Sequence, residues 1–201
     1  MLKIWGRRNS AHTQRVLWAS VEAGVQFDLI LASATMGTDG HVSGGSRAFG
    51  VVETPEYRAM NPNGTIPTID DDGFILWESN TILRYLCEKH AKGTPLWPDD
   101  IQTRNSAIRW MDWTLSILAP RHVPVYQGLI RTPEANRDLD KINASRELWA
   151  KANKILDSWL TNHEFLSGDE FGIGDIPVSP FTFRWFNLDI DREHFPHLKR
   201  W

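Results

Sequence analysis

Residues 61–77, NPNGTIPTIDDDGFILW, decide the fold of this protein. The stretch opens with the turn signal NPNG, continues into a run rich in β-branched residues, turns again at DDDG and ends in an apolar run. It therefore predicts a β-hairpin with strands over 65–69 and 74–77. Pro67 lies within the first of these strands. Because proline cannot donate to a sheet ladder, it is expected at an edge or a bulge.

A strand, a helix and a second strand are predicted before the hairpin. The strands are Leu2–Gly6 and 27–31, and between them Ser10 is placed to cap a helix that Gly24 ends. The inward face of this helix is predicted to carry Val16, Leu17 and Val21. Strand, helix and strand at this short spacing are typical of a βαβ unit, with parallel strands and a right-handed crossover.

A further helix is predicted directly after the hairpin. Residues 78–80 open it, and its buried face is predicted to carry Ile82, Tyr85 and Leu86. The first part of the chain is therefore βαβ followed by ββα, an α/β arrangement expected to form a thioredoxin-like domain over residues 1–90. Within it, residues 35–55 are rich in Gly, Ser and Thr and lack periodicity, which predicts an exposed loop.

The rest of the chain is predicted to be helical. Prolines and a glycine in 91–98 indicate a linker, and residues 99–201 contain no convincing strand pattern. Helices are predicted over 103–118 and from Gly172 to Phe186. Between them the clearest periodicity in the chain predicts an amphipathic helix with a broad buried stripe, made of Leu148, Trp149, Ala152, Ile155, Leu156, Trp159 and Leu160. The fold class is therefore α/β plus all-α, with a helical-bundle C-terminal domain.

Composition and charge exclude several functional classes. The 201 residues carry 22 Lys and Arg against 25 Asp and Glu, so no basic field is available to hold nucleic acid. No segment approaches the ~20 apolar residues of a membrane span, and the start of the chain has no secretory signal pattern. The single cysteine, Cys87, rules out an internal disulfide framework and a cysteine-based zinc site, and no metal is expected. These features predict a cytoplasmic protein.

Two pairs of residues, one in the first strand of the hairpin and one directly after its second strand, are candidates for ligand binding. If the Ile66–Pro67 bond is cis, the backbone before the proline turns outward and can bind a peptide as an added strand, although trans is the commoner state. Glu78 and Ser79 lie where a strand meets a helix N-terminus, which favours carboxylates. Together they suit a ligand with both an amine and a carboxylate. Alternatively, Ser79 caps the helix and Glu78 is solvated.

Ser10, at the start of the first predicted helix, is a third candidate for a chemical role. Its hydroxyl can donate a hydrogen bond to a thiolate while the helix N-terminus lowers the thiol pKa. Alternatively, it serves only as the N-cap, which is the more common role of a serine at this position. Ser10, the Ile66–Pro67 pair and the Glu78–Ser79 pair occur in this order along one chain. They are therefore not independent signals and are interpreted together.

The chain resembles the glutathione transferase family, in particular bacterial members of the serine-type theta and zeta kind. The resemblance rests on three motifs, SAHTQRV at 10–16, NPNGTIP at 61–67 and WESNTI at 77–82. WMDW at 110–113 and FLSGD at 165–169 are similar to the C-terminal domain of such proteins. The resemblance therefore covers essentially the whole chain.

The resemblance implies a glutathione site in the first domain, formed by Ile66, Pro67, Glu78 and Ser79. Pro67 would be cis, and the backbone of Ile66 would pair with the cysteinyl portion of glutathione. Glu78 and Ser79 would hold the γ-glutamyl end. Ser10 would activate the thiol, and Asn9 and His12 are alternatives for that role because they flank it closely.

The resemblance also implies an electrophile site between the two domains, beside Trp110, Trp113, Ile117, Arg121 and Tyr126. The implied function is a glutathione transferase that conjugates the glutathione thiolate to a small hydrophobic or halogenated electrophile, or displaces a leaving group such as halide. Alternatives are a glutathione-dependent isomerase of the zeta type and a non-catalytic protein-interaction module with the same fold. The family also implies a homodimer.

Two departures from the family pattern bear on the structure. Gly172 stands where the family usually has Ser or Thr at the start of the late helix, so only Asp175 remains of the capping box. The segment 35–55 is longer and richer in glycine than usual. It leaves His41 and Arg47 as candidates for binding the glycyl carboxylate of glutathione.

Overall fold

The structure is a computed structural model that describes residues 1–33 and 50–201. It divides into two compact units, Met1–Lys92 and Gly93–Trp201, and the division falls within 91–98. In the part of the chain that is described, no helix is long and apolar enough to cross a membrane.

A four-stranded sheet forms the centre of the first unit. Its strands are β1 (Leu2–Gly6), β2 (Phe27–Leu31), β3 (Thr68–Asp71) and β4 (Phe74–Trp77). The order is β2-β1-β3-β4, with β1 parallel to β2 and β3 antiparallel to both β1 and β4. The predicted βαβ unit and hairpin are therefore confirmed. The strand predicted from Thr65 instead begins after Pro67, because the proline has no N–H to donate to the ladder.

The helices of the first unit are α1 (Ala11–Glu22), α2 (Pro55–Met60) and α3 (Ser79–His90). The loop prediction for 35–55 is wrong at its end, where a 3₁₀ turn over Gly50–Glu53 leads into α2. The side chain of Thr54 caps α2 by accepting from the backbone N–H of Tyr57. Pro55 occupies the first turn, where its missing N–H has no intrahelical partner to lose. Threonine followed by proline is the signal that predicts this helix start.

The inward face of α1 differs in part from the prediction. Val16 is fully buried, but Val21 is 65% exposed, so its predicted inward position is wrong. Five residues at 3.6 per turn place Val21 about 140° around the helix from Val16. The inward position is taken by Ala19 and Ser20 instead. Gly24 has a φ of 67° and ends the helix as predicted.

The helices of the second unit are α4 (Ile101–Trp113), α5 (Ala119–Tyr126), α6 (Leu139–Trp159), α7 (Asp175–Asn187) and α8 (Pro196–Arg200). π-Helical turns over Thr114–Leu118 and Gln127–Arg131 follow α4 and α5, so helical backbone continues beyond the predicted end at Leu118. Pro120 lies where the first π-helical turn meets α5, and the helical run continues through it.

The buried stripe of α6 is narrower than predicted. Trp149, Ala152 and Leu156 are fully buried, but Leu148 and Ile155 are 45% and 48% exposed, so the prediction is wrong for these two residues. Seven residues separate them, which places both on one side of the helix. They form an exposed apolar strip beside the buried one.

The start of α7 is held by the buried carboxylate of Asp175, and the helix begins at this residue rather than at Gly172. As predicted, the carboxylate accepts from the backbone N–H of Gly172, at 3.0 Å. It also accepts from the backbone N–H of Leu166 and from the indole N–H of Trp201, both at 2.8 Å. One carboxylate thus joins the loop, the helix start and the last residue.

Ser167 supplies the half of the cap that Gly172 lacks. Its hydroxyl accepts from the backbone N–H of Gly174 at 3.1 Å. A Cβ added at Gly172 would lie 2.7 Å from the Ser167 hydroxyl oxygen and 3.0 Å from the backbone oxygen of Pro95. The cap residue has therefore moved to the preceding loop, and glycine leaves the space it needs.

Gly172→Ser, which introduces the residue type usual in the family, is expected to destabilise the protein by about 1–3 kcal/mol because the added atoms overlap Ser167. Ser167→Ala should cost about 1 kcal/mol by removing one capping hydrogen bond. Urea denaturation followed by circular dichroism measures both changes. A gain in the free energy of unfolding in Gly172→Ser, as an ordinary N-cap serine gives, would contradict this arrangement.

Candidate functional site

A cleft of about 360 Å³ in the first unit brings together six of the predicted site residues, Ser10, His12, Ile66, Pro67, Glu78 and Ser79. They come from the starts of α1 and α3 and from the segment before β3. Arg7 and Ser33 also line the cleft, although the sequence singled out neither for function. Asn9 is not among the described residues that line it. His41 and Arg47 lie outside the described residues.

The wall formed by Ile66–Pro67 is held by two buried side chains. The peptide bond between these residues is cis, as the family resemblance implies. The hydroxyl of Tyr57 donates to the backbone oxygen of Thr65 at 2.7 Å, and the side-chain amide of Asn61 donates to the same oxygen at 3.0 Å. Both groups also contact the hydroxyl of Thr68, at 2.8 and 3.0 Å. Burial strengthens such hydrogen bonds, so the backbone on both sides of the cleft wall is fixed.

Glu78 has an unusual backbone conformation at the start of α3. Its φ of 72° and ψ of 110° lie in a region that residues other than glycine rarely adopt. Such a conformation costs about 1–3 kcal/mol and is concentrated at functional sites. The side chain of Glu78 makes no capping hydrogen bond, and Ser79 is already the first helical residue. The alternative interpretation, in which Ser79 caps this helix, is therefore wrong.

Two residues of α1 contact Ser79 from within the protein. Arg15 is fully buried, and its Nη1 donates to the hydroxyl of Ser79 and to the side-chain oxygen of Asn80, both at 3.3 Å. Nδ1 of His12 lies 3.4 Å from the same hydroxyl oxygen. The charge of Arg15 and the N-terminus of α3 both favour an anion beside Ser79. Sequence reasoning missed Arg15, because its partner is 64 residues further along the chain.

Ser10 is the N-cap of α1. Its hydroxyl accepts from the backbone N–H of Thr13 at 3.4 Å. A hydroxyl has one donor and two acceptor sites, so capping leaves its proton available to a ligand. The side-chain oxygen of Asn9 instead accepts from Nη1 of Arg7 at 2.7 Å. Of the three residues considered for thiol activation, Ser10 and His12 line the cleft.

Cys87 cannot supply a reactive thiol to this site. It is the single cysteine of the chain and is fully buried in α3. Burial raises the pKa of its thiol to about 12. Because the thiolate is the nucleophile, a thiol with such a pKa is inert near neutral pH. Thiol chemistry in the cleft therefore requires the thiol of a ligand.

Four of the residues predicted for the electrophile site follow one another along the helical run of the second unit. Trp110 is buried and packs edge-on against Trp113 and Trp159, with ring centroids 5.4 and 5.6 Å apart. Trp113, Ile117 and Arg121 are half-buried. Trp110 thus contributes mainly to packing, while the other three present part of their surface.

The fifth residue, Tyr126, is surrounded by basic side chains. Its ring stacks on His122 with centroids 5.3 Å apart, and the guanidinium of Arg184 lies 4.1 Å from its centroid. Arg131 approaches the same ring at 5.7 Å. Burial lowers the pKa of Arg184; Tyr126 raises it in part, and the charge of Arg131 lowers it. The cations on the tyrosine ring make cation–π contacts.

A thioredoxin-like sheet domain followed by a helical domain, with a cleft beside a cis-proline and a helix N-terminus, defines the fold of a glutathione transferase. Residues 9–89 match the family model of the glutathione S-transferase N-terminal domain, and residues 111–201 match that of the C-terminal domain. The chain is 37% identical to glutathione S-transferase GstB of Escherichia coli K12, over 100% of this chain and 91% of that protein. It belongs to the glutathione S-transferase family.

Solved structures agree with this assignment. The theta class glutathione S-transferase of Xanthomonas axonopodis pv. citri with glutathione bound superposes with a TM-score of 0.89 and 40% identity, over 100% of this chain and 89% of that one. Glutathione transferase F2 of Populus trichocarpa superposes with a TM-score of 0.83 and 26% identity, over 100% and 91% of the two chains. The predicted family and fold class are confirmed.

Proposed function

We propose that this glutathione S-transferase binds glutathione in the cleft of the first unit and conjugates it through its sulfur to a small electrophile. The observation that carries the proposal is the pairing of opposite charges at the start of α3. Glu78 offers a carboxylate to the ligand amine, and Ser79, contacted by Arg15, offers a donor to the ligand carboxylate. These are the two charged groups of a γ-glutamyl end.

In the proposed reaction the S–H bond of glutathione breaks and its proton passes to solvent. The thiolate sulfur then attacks an electrophilic carbon, and where that carbon carries a halogen, the carbon–halogen bond breaks and halide leaves. Ile66 would pair with the cysteinyl backbone, and Ser10 would donate a hydrogen bond to the sulfur.

A substrate panel tests the reaction type. Halogenated acids, aryl halides, peroxides and isomerisable diketo acids should be compared, with glutathione consumption measured beside product formation. Transfer predicts one glutathione consumed for each product. Turnover of a diketo acid without glutathione consumption would indicate the isomerase instead, and retention on glutathione-agarose without any turnover would indicate a binding module.

Glu78→Gln and Ser79→Ala are each expected to weaken glutathione binding about tenfold or more, because each removes a charged or charge-assisted hydrogen bond of roughly 1.5–3 kcal/mol. Isothermal titration calorimetry measures the affinity. Glu88→Gln, on the exposed part of the same helix, is the matched control and should bind as the unaltered protein does. Unchanged affinity in both site variants would remove the assignment.

Ser10→Ala is expected to raise the pKa of the bound glutathione thiol by about 1–2 units, since a lost bond of roughly 1.5–3 kcal/mol corresponds to that shift. A raised pKa means less thiolate near neutral pH, so turnover should fall about tenfold and recover as the pH rises. Ultraviolet difference spectra of the bound thiolate across pH measure it.

The Ser10 assignment is checked against its neighbours in the same titration. Asn9→Ala and His12→Ala are measured beside Ser10→Ala. If Ser10 only caps α1, its loss should cost about 1 kcal/mol of stability with an unchanged pH profile. A larger pKa shift in either neighbouring variant than in Ser10→Ala would transfer the role to that neighbour.

We also propose that the protein is a cytoplasmic homodimer. Reduced glutathione and a free cysteine are both expected in that compartment. The second unit has a groove of about 620 Å³ whose lining includes Trp110, Ile155 and Trp159. Lys151 and Lys154 line the groove as well, and exposed Leu148 lies on the same side of α6 as Ile155. In the first unit, Phe74 and Trp77 of edge strand β4 are 50% and 37% exposed. Exposed apolar surface of this extent on both units favours a second copy as its cover.

Sedimentation is expected to show a species of twice 23.0 kDa at micromolar concentration. Ile155→Glu should shift it toward the single-chain mass, because a carboxylate in place of this side chain would lose the apolar contact with the second copy. Val21→Glu, on the exposed side of α1, is the matched control and should leave the dimer intact. A single-chain species alone in the unaltered protein would refute the dimer.

A further inference from the structure

Arg7 is a buried cation in the wall of the cleft that neither the motifs nor the proposed function uses. It follows directly on Gly6, the last residue of β1, and lines the same cleft as Ser10 and Ile66. The next residue, Arg8, is exposed. Two adjacent residues of the same type therefore differ sharply in environment, and only the first is placed at the cleft.

The position of Arg7 is fixed relative to Ser10. The backbone N–H of Ser10 donates to the backbone oxygen of Arg7 at 3.0 Å, which closes a tight turn between β1 and α1. Nη1 of Arg7 donates to the side-chain oxygen of Asn9 at 2.7 Å, inside the same turn. A guanidinium has five N–H donors in a rigid fork, and Asn9 takes one of these at Nη1. The turn thus carries a charged group and a hydroxyl that both line the cleft.

A positive charge beside a thiol favours its thiolate form. An opposite charge within about 4–6 Å lowers the pKa of an acid by about 1–3 units. Cationic side chains beside a thiol are the usual cause of a stable thiolate. A guanidinium keeps its charge at every pH at which a protein works.

We propose that Arg7 stabilises the glutathione thiolate by its charge, that Ser10 adds the hydrogen bond, and that Asn9 positions the guanidinium. The proposal rests on glutathione binding as proposed above. In the step concerned, the S–H bond breaks, the electron pair stays on sulfur beside the guanidinium, and the proton passes to solvent. The competing role for Arg7 is to bind the glycyl carboxylate of glutathione.

Arg7→Gln, Arg7→Lys and Arg8→Gln are compared by titrating the ultraviolet absorbance of the bound thiolate, with thermal unfolding as the folding check. The pKa of bound glutathione should rise by about 1–3 units in Arg7→Gln, should be partly restored in Arg7→Lys, and should not change in Arg8→Gln. Asn9→Ala, which frees the guanidinium but keeps its charge, should give a smaller rise. Turnover of each variant should recover at high pH.

Binding of γ-glutamylcysteine, which lacks the glycyl group, separates the two roles of Arg7. Charge stabilisation predicts the same pKa rise with this ligand. If Arg7→Gln weakens glutathione but not γ-glutamylcysteine and leaves the thiol pKa unchanged, Arg7 binds the carboxylate and the proposal is overturned. An unchanged thiol pKa in folded Arg7→Gln and Arg7→Lys also overturns it. If the unaltered protein binds neither ligand, the proposed function itself has failed.

Discussion

The hydrogen bonds from Tyr57 and Asn61 to the backbone oxygen of Thr65 are the constraint on which the cleft depends. This one oxygen accepts from two buried side chains, Tyr57 of α2 and Asn61 at the end of that helix. The same two side chains contact Thr68, the first residue of β3. They therefore join α2 to the sheet and fix both ends of Ile66–Pro67, the segment expected to offer its backbone to a peptide thiol.

Helix α1 places polar and charged side chains beside the Ile66–Pro67 segment. Its N-cap Ser10 faces the cleft, and His12 and Arg15, two and five residues further along, contact the hydroxyl of Ser79. The buried guanidinium of Arg15 lies near the N-terminus of α3, where its own charge and the helix dipole add for an anion. Because Glu78 is held in a left-handed conformation at the same point, an acid and an anion-binding hydroxyl stand next to each other. This arrangement suits the zwitterionic ligand that we propose.

In the second unit, the N-terminus of α7 is capped by residues other than those of the usual motif. In the usual capping box, the cap and the acid are three residues apart, whereas here Ser167 reaches Gly174 from the preceding loop while Asp175 keeps its reach to Gly172. The acid was predictable, since its partner lies three residues away in sequence. The serine was not, because its contact depends on how the loop folds back over the helix start.

The sequence by itself determined the elements whose signals are local. The turn residues of the hairpin, the cap and glycine stop of α1, the βαβ order and the motifs around Pro67 and Glu78 each act within a few residues, and they led to the correct fold class and family. Only the tertiary structure decided which polar groups meet, such as Arg15 with Ser79, and which apolar ones remain outside, such as Val21 and Ile155. A hydrophobic periodicity indicates that a helix has a buried face. The width of that face depends on the element that packs against it. Contacts between distant segments are chosen by packing and not by local preference.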